Sequence, residues 1–340
     1  MSTRPRFALA GRFGRAPTTL ARAGRVRPVS TALSPAPDEM TEHSAKLTVS
    51  VIIPTFRREQ LLERCLNSVL RQKADIELEV IVVNDAGEPL SPLPSVADPR
   101  VKTIATNRTE RAVARNTGAA LSRGQWLHFL DDDDFLLPGA CQALAEVVKQ
   151  GSGCGWVYGG YTKLDGTSRQ EIDCLPGVAG NLVALTFSGE TIPLQGSWIE
   201  RDIFFKAKGF DPAFVPAEDV DLLHRVARLC SVRWAAAKIA AIRINHPATT
   251  ATAPDAQAVA WRRLPGSWIK LPGTLDRLRV ATNASPYWAG RCSRIYAIEA
   301  LRALSRWQLC AALQEGAGAI ALAYHHMGDR TFWRGLQPLR

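Results

Sequence analysis

The 340-residue sequence contains no run of about 18 uninterrupted apolar residues, so an ordinary membrane-spanning helix is excluded. Its best apolar stretch, 316–324, is far too short to cross a bilayer. Seven cysteines (65, 141, 154, 174, 230, 292 and 310) are scattered, odd in number and never spaced C-x-x-C. That pattern argues against a disulfide scaffold, a zinc ribbon and a thioredoxin-type site, and it leads us to expect a reducing, cytoplasmic compartment. No G-x-x-x-x-G-K phosphate loop occurs, and no aromatic-basic motif appears inside the core, so no nucleic-acid partner is expected. With 46% hydrophobic and 22% charged residues, a collagen, a coiled-coil rod and a wholly disordered chain are excluded as well.

The net charge of +10 divides unevenly. Residues 1–39 hold seven arginines and only two acids, Asp38 and Glu39, and so carry half of it. This stretch is rich in Arg, Ala, Ser, Thr and Pro without hydrophobic periodicity, which is the composition of a disordered basic leader over 1–45. A start called upstream of Met40, a targeting segment and a basic arm all fit it. The remaining charge is mild and suits a phosphorylated small molecule or an anionic membrane face.

Alternation is the main signal after residue 46. A β-branched run at 47–53 predicts a buried parallel strand, and 59–73 has the i, i+3, i+4 spacing of an amphipathic helix. Strands follow at 79–83, 101–104 and 126–130, with a helix over 111–122. Such an order predicts an α/β fold: a doubly wound, mostly parallel sheet with helices on both faces. Ligands in these sheets sit beyond the carboxyl ends of strands, and three strand ends here carry Thr55, Asp85 and Asp131-Asp132-Asp133-Asp134. Four adjacent carboxylates repel one another by several kcal/mol at an effective dielectric of about 20. An extended chain would turn Asp131 and Asp133 to one side, a pair suited to Mg²⁺ or Mn²⁺ facing a phosphate. A solvated acidic turn before a helix near Pro138 explains the run equally well.

Four segments in order, SVIIPTFRR (50–58), VIVVNDAG (80–87), ARNTGAALSRGQWLHFLDDDD (114–134) and FVPAEDVDLLHRV (214–226), resemble the signatures of family 2 glycosyltransferases. The resemblance covers roughly 48–250 and implies a GT-A fold. It implies a catalytic domain over 46–250, with a nucleotide-binding half (46–137) and an acceptor half (138–250), followed by a helical extension over 251–340. By the same resemblance Thr55 and Phe56 line a uracil pocket and Asp85 meets the base, although Asn84 and Ala86 depart from the family's Asp-Asp-Gly-Ser. Arg115 and Asn116, with help from Arg111, would face the diphosphate. Asp131 would be the first carboxylate of the metal motif, Asp132 would lie near the ribose, Asp133 would bind the metal, and Asp134 would be structural. Asp219 falls where the general base sits, with Glu218 beside it as a like-charge neighbour or acceptor contact. His246 would reach the metal or diphosphate, and Trp198 would serve as a sugar platform, a place it shares with a plain core reading.

The implied activity is inverting, metal-assisted transfer from a nucleoside-diphosphate sugar, UDP-linked, to a hydroxyl on a surface glycan or lipid-linked sugar in polysaccharide biosynthesis. Single transfer is expected, because the Gln-x-x-Arg-Trp pattern of processive synthases is missing: Ser231-Val232-Arg233-Trp234 lacks the Gln. Helices are expected over 287–314 and 316–327. The tryptophans and arginines of 255–340 fit either a helical cap or an interfacial face resting on the inner side of a membrane. Two other classes compete: a Mg²⁺-dependent nucleotidyl- or phosphotransferase, and a catalytically inactive member serving as a scaffold.

Overall fold

The computed structural model describes residues 46–107, 109–151, 153–165, 171–174, 177–244 and 254–337. The basic leader and His246 therefore lie outside the described residues.

The chain opens with β1 (Thr48–Thr55), α1 (Glu59–Leu70), β2 (Glu77–Asn84), β3 (Val101–Ala105), α2 (Arg111–Leu121) and β4 (Trp126–Phe129). Their β-branched runs are buried on both faces; Val51, Ile52 and Ile53 are wholly inaccessible. One side of β1 is covered by α1 through Leu62, Cys65, Leu66 and Val69. The other is covered by α2, where Gly118 allows a close approach: a Cβ there would stand 2.4 Å from Ile52 Cγ2. Strands β3, β2, β1 and β4 run parallel in that order, so the carboxyl ends of β2, β1 and β4 emerge side by side.

The rest of the sheet is built from β5 (Phe135–Leu136), β6 (Cys154–Asp165), β7 (Glu171–Cys174), β8 (Ser197–Glu200) and β9 (Ser231–Ile244), with α3 (Ala140–Lys149), α4 (Val183–Phe187), α5 (Arg201–Lys206) and α6 (Glu218–Ala227) between them. Here β8 joins β4 and β6 antiparallel, β6 pairs parallel with the long β9, and β5 and β7 add antiparallel edges. The expectation of a mostly parallel sheet holds for the first four strands. The second half is mixed, because β8 enters against β4 in the opposite direction.

The C-terminal stretch is helical throughout: α7 (Pro254–Ile269), α8 (Thr274–Thr282), α9 (Pro286–Ser305), α10 (Leu309–Ala323) and α11 (Arg330–Gly335). The expected single helix over 287–314 is broken at Trp307, whose φ of 59° belongs to the left-handed region. The chain reverses there, so the apolar stretch expected as a second helix is the far half of α10, packed against α9. These helices share one hydrophobic cluster with α4 and α6, in which Phe187 and Leu222 meet Trp268 and Tyr296. Trp268 lies over His224 of α6 with ring centroids 4.3 Å apart, and its Nε1 donates to Asp221 Oδ1 at 2.9 Å.

Candidate active site

Beyond the ends of β1, β2 and β4 lies a cavity of about 180 Å³, bounded by Thr55, Phe56, Arg58, Asp85, Arg111 and the first three aspartates of the run. The aspartates do not alternate as an extended chain would. Asp134 N bonds back to Asp131 O at 3.1 Å, which turns the chain, so that Asp131 and Asp134 reach separate partners while Asp132 and Asp133 share Arg58. Asp132 accepts from Thr55 Oγ1 at 2.7 Å and from Arg58 Nη1 at 3.0 Å. Asp133 has the same Arg58 nitrogen at 3.4 Å. Asp134 turns away to accept from Arg243 N at 2.8 Å, fastening the run to β9.

Asp131 pairs with Arg115 Nη2 and accepts from Gln195 Nε2 at 3.0 Å. Arg115 itself is buried, and its Nη1 donates to Glu218 Oε1 at 2.8 Å. One guanidinium thus joins the aspartate run to the start of α6. Arg111 adds a second pairing to Glu218, Nε to Oε1 at 2.6 Å. Glu218, only 1% exposed, is held between two arginines. Asp219 follows it at the first turn of α6, half-buried, with Oδ1 accepting from Val220 N at 2.8 Å.

Electrostatics separates these carboxyls. Burial pushes Asp132 up to about 6, partly opposed by Thr55 and Arg58. Burial and the Asp131 charge raise Asp133. Asp131 moves the other way: burial opposes its charge, but Arg115 outweighs that and holds it below the ordinary carboxylate range. Asp219 is raised by burial and by Glu218, with Arg115 working against both. Asp85 is lowered although burial opposes its charge, because four donors surround it: Thr106 Oγ1, Thr109 N, Thr109 Oγ1 and Glu110 N, at 2.7–3.1 Å.

Several sequence-based assignments change. Both terminal nitrogens of Arg115 are engaged with carboxylates, so in this structure it bridges two parts of the site. Arg111 borders the cavity and is itself paired with Glu218. Asn116 clasps the backbone of Phe210, donating from Nδ2 to its O at 2.8 Å and accepting from its N at 2.9 Å, and is structural. Trp198 is wholly buried in β8 and has no face to offer a sugar. Phe56, by contrast, is 41% exposed at the cavity. Arg58 and Gln195 are the residues that sequence reasoning left without a role. Arg58 stands inside the first motif, whereas nothing local marks Gln195.

No group of three metal-binding side chains occurs among the described residues. The residues present nevertheless fit a hard divalent cation. Asp131 and Asp133 supply oxygen only, and such ions keep waters and bind substrate phosphates in place of a full protein cage.

Among solved structures, S. aureus TarS 1–349 in complex with UDP-GlcNAc aligns with a TM-score of 0.52 at 15% identity, covering 83% of this chain and 92% of that one. At that identity the likeness establishes the fold, and the fold is that of GT-A glycosyltransferases. Residues 50–204 match the family described as Glycosyl transferase family 2. An uncharacterized glycosyltransferase of Haemophilus influenzae is 29% identical over 217 residues, which cover 60% of this chain and 68% of that protein. The GalNAc(5)-diNAcBac-PP-undecaprenol beta-1,3-glucosyltransferase of Campylobacter jejuni is 31% identical over 165 residues, 47% of this chain and 48% of that enzyme. The matched region thus spans about half the length of the Campylobacter enzyme. Over residues 50–204 the chain is thus similar to glycosyltransferase family 2.

Proposed function

We propose that the chain transfers a sugar from a UDP-linked donor to a hydroxyl on a glycan or lipid-linked acceptor, with inversion and one transfer per encounter. The observation that carries this reading is the Arg115 bridge, which ties Asp131 of the cavity to Glu218 beside Asp219. A donor's leaving diphosphate and an acceptor's attacking hydroxyl need opposite electrostatics within one bond-making distance, and the bridge holds the two carboxylate groups in register. The UDP-GlcNAc bound by TarS and the undecaprenol-linked acceptor in the name of the Campylobacter relative support the substrate classes.

Phe56 and Asp85 would receive the base, Asp85 through Oδ2, which carries one bond where Oδ1 carries three. Arg111 faces the diphosphate. Asp133 and Asp131 would hold Mn²⁺ or Mg²⁺, which when bound neutralises charge developing on the departing nucleoside diphosphate. Asp219 takes the proton of the acceptor hydroxyl as its oxygen bonds to the anomeric carbon and the bond from that carbon to the diphosphate oxygen breaks. A carboxylate raised above its ordinary range is a better match for this proton transfer near neutral pH. Glu218 acts through its neighbours, fixing Arg115 and Arg111. In this reading 46–250 is the catalytic unit, 251–340 is a helical extension, and the protein works in the cytoplasm at the inner face of a membrane.

The test is UDP release from a panel of UDP-sugars with surface-glycan and lipid-linked acceptors. Asp219→Asn should abolish transfer while UDP binding, read by thermal shift with Mn²⁺, stays at the wild-type level. Transfer by that variant at the wild-type rate would refute the assignment.

A further inference from the structure

A second cleft, of about 650 Å³, lies between α7, α9 and the first half of α10. Five cationic side chains border it, Arg262, Arg263, Lys270, Arg302 and Arg306, against two carboxylates, Glu299 and Glu315. Glu299 is already paired with Arg302. Arg262, Arg263 and Arg306 form no ion pair with any described residue, and Arg262 and Arg263 are exposed. Glu315 Oε2 is buried without a hydrogen-bond partner among the described residues. Burial and the Glu299 charge raise its carboxyl, so it is readier than an ordinary glutamate to act as a donor. Clustered cations of this kind concentrate an anion, and guanidinium groups suit phosphate oxygens.

Two neighbours of the cleft say where its anion comes from. Phe214 forms its wall on the catalytic side; Ala217 N donates to Phe214 O at 2.6 Å, and α6 with Asp219 begins at the next residue. Trp307 stands between Arg306 and Gln308, both of which border the cleft, and is 88% exposed. From there an apolar stripe runs down α10 through Leu309, Leu313, Ile320 and Tyr324, with Leu313 74% exposed. Their spacing puts all four on one side of the helix. A 15-residue helix is about 22 Å long, short of the ~30 Å hydrocarbon core, and no helix among the described residues is long and apolar enough to cross a membrane. A short apolar stripe with tryptophan and arginines at its edge is suited to lie in a bilayer interface, where anionic lipid balances the cations.

We propose that this cleft is a phosphate site that takes the phosphate-bearing head of a membrane lipid, with the α10 stripe resting in the bilayer surface beside it. It deepens the transferase reading, on which it rests only for the step in which that lipid carries the acceptor sugar.

The experiment is co-sedimentation of the full chain with phosphatidylcholine vesicles, with and without phosphatidylglycerol, in the absence of any donor. The wild type should pellet with the anionic vesicles only. Arg262→Gln with Arg263→Gln should weaken that binding about thirty-fold, from roughly 1 kcal/mol per basic residue at the surface. Leu313→Ser should weaken it too, with both variants melting like the wild type and Arg123→Gln, on the exposed end of the nucleotide half, binding normally. Vesicle binding that survives the double arginine variant overturns the proposal. So does the absence of vesicle binding alongside tight binding of inorganic pyrophosphate to the UDP-saturated protein, which would assign the cleft to a soluble phosphorylated acceptor. Because no transfer is measured, failure here leaves the transferase reading standing, and failure of transfer leaves this result standing.

Discussion

Replacing Arg115 by lysine tests the bridge directly. The guanidinium reaches two carboxylates with two different nitrogens, Glu218 at 2.8 Å through Nη1 and Asp131 through Nη2, in a site where the arginine side chain is 4% exposed. A lysine ammonium is a point charge on a thinner stem and can satisfy one of the two. A lost charge-assisted bond contributes about 1.5–3 kcal/mol, and for a chain of this size that corresponds to a fall in Tm of about 2–4 °C. Arg115→Ala should cost more, about 3–5 kcal/mol, because it leaves a buried charge without compensation. The pH dependence has a defined sign. Asp131 is depressed in the folded state, so its contribution is present above the unfolded carboxylate value and is lost as pH falls through the folded one. The gap between wild type and Arg115→Ala should therefore be full at neutral pH and narrow in acid below the ordinary aspartate range. Calorimetric melts from acid to neutral pH measure it. A lysine variant as stable as the wild type, or a gap that widens in acid, would refute the bridge.

Asp132, pushed up to about 6, should lose stabilisation as pH rises from about 4 to 6, since the folded state holds a proton that the unfolded chain releases. Asp132→Asn should flatten that segment of the stability–pH curve. Thr55→Val removes the 2.7 Å donor to Asp132 and should destabilise by about 1–2 kcal/mol, read by denaturant melts. Gly118→Ala would press a methyl group to 2.4 Å of Ile52 Cγ2, and an overpacking cost of about 1–3 kcal/mol is expected in the same assay. The transfer rate should rise with pH through a value above the ordinary carboxylate range, reporting the raised Asp219, and a flat pH–rate profile would count against it as the base.

What the sequence disclosed followed the range of the physical effects. The first half of the sheet was legible because β-branched runs closed by turn residues specify parallel strands locally, and the aspartate run marks a strand end without help from elsewhere. The Arg115 bridge was not legible because its partner Glu218 lies 103 residues away, and only the folded chain brings them together. Trp198 was ambiguous for a similar reason: a tryptophan in a short strand is core or surface according to what flanks the strand, and here β4 and β6 do. The pattern did not signal α7, whose interior holds Pro265. Nor did any glycine or proline announce the reversal at Trp307, which a left-handed non-glycine residue accomplishes.

The contact from Trp268 to Asp221 bears on how such a protein can be re-engineered. Asp221 stands two residues beyond Asp219 on the same helical turn, so a C-terminal helix is fastened to the segment that carries Asp219. Exchanging the C-terminal helices, about a quarter of the chain, between relatives would not be a modular graft. It would also loosen the anchoring of α6. A chimaera that keeps Trp268, His224 and Asp221 as a matched set should retain turnover where one that splits them would not.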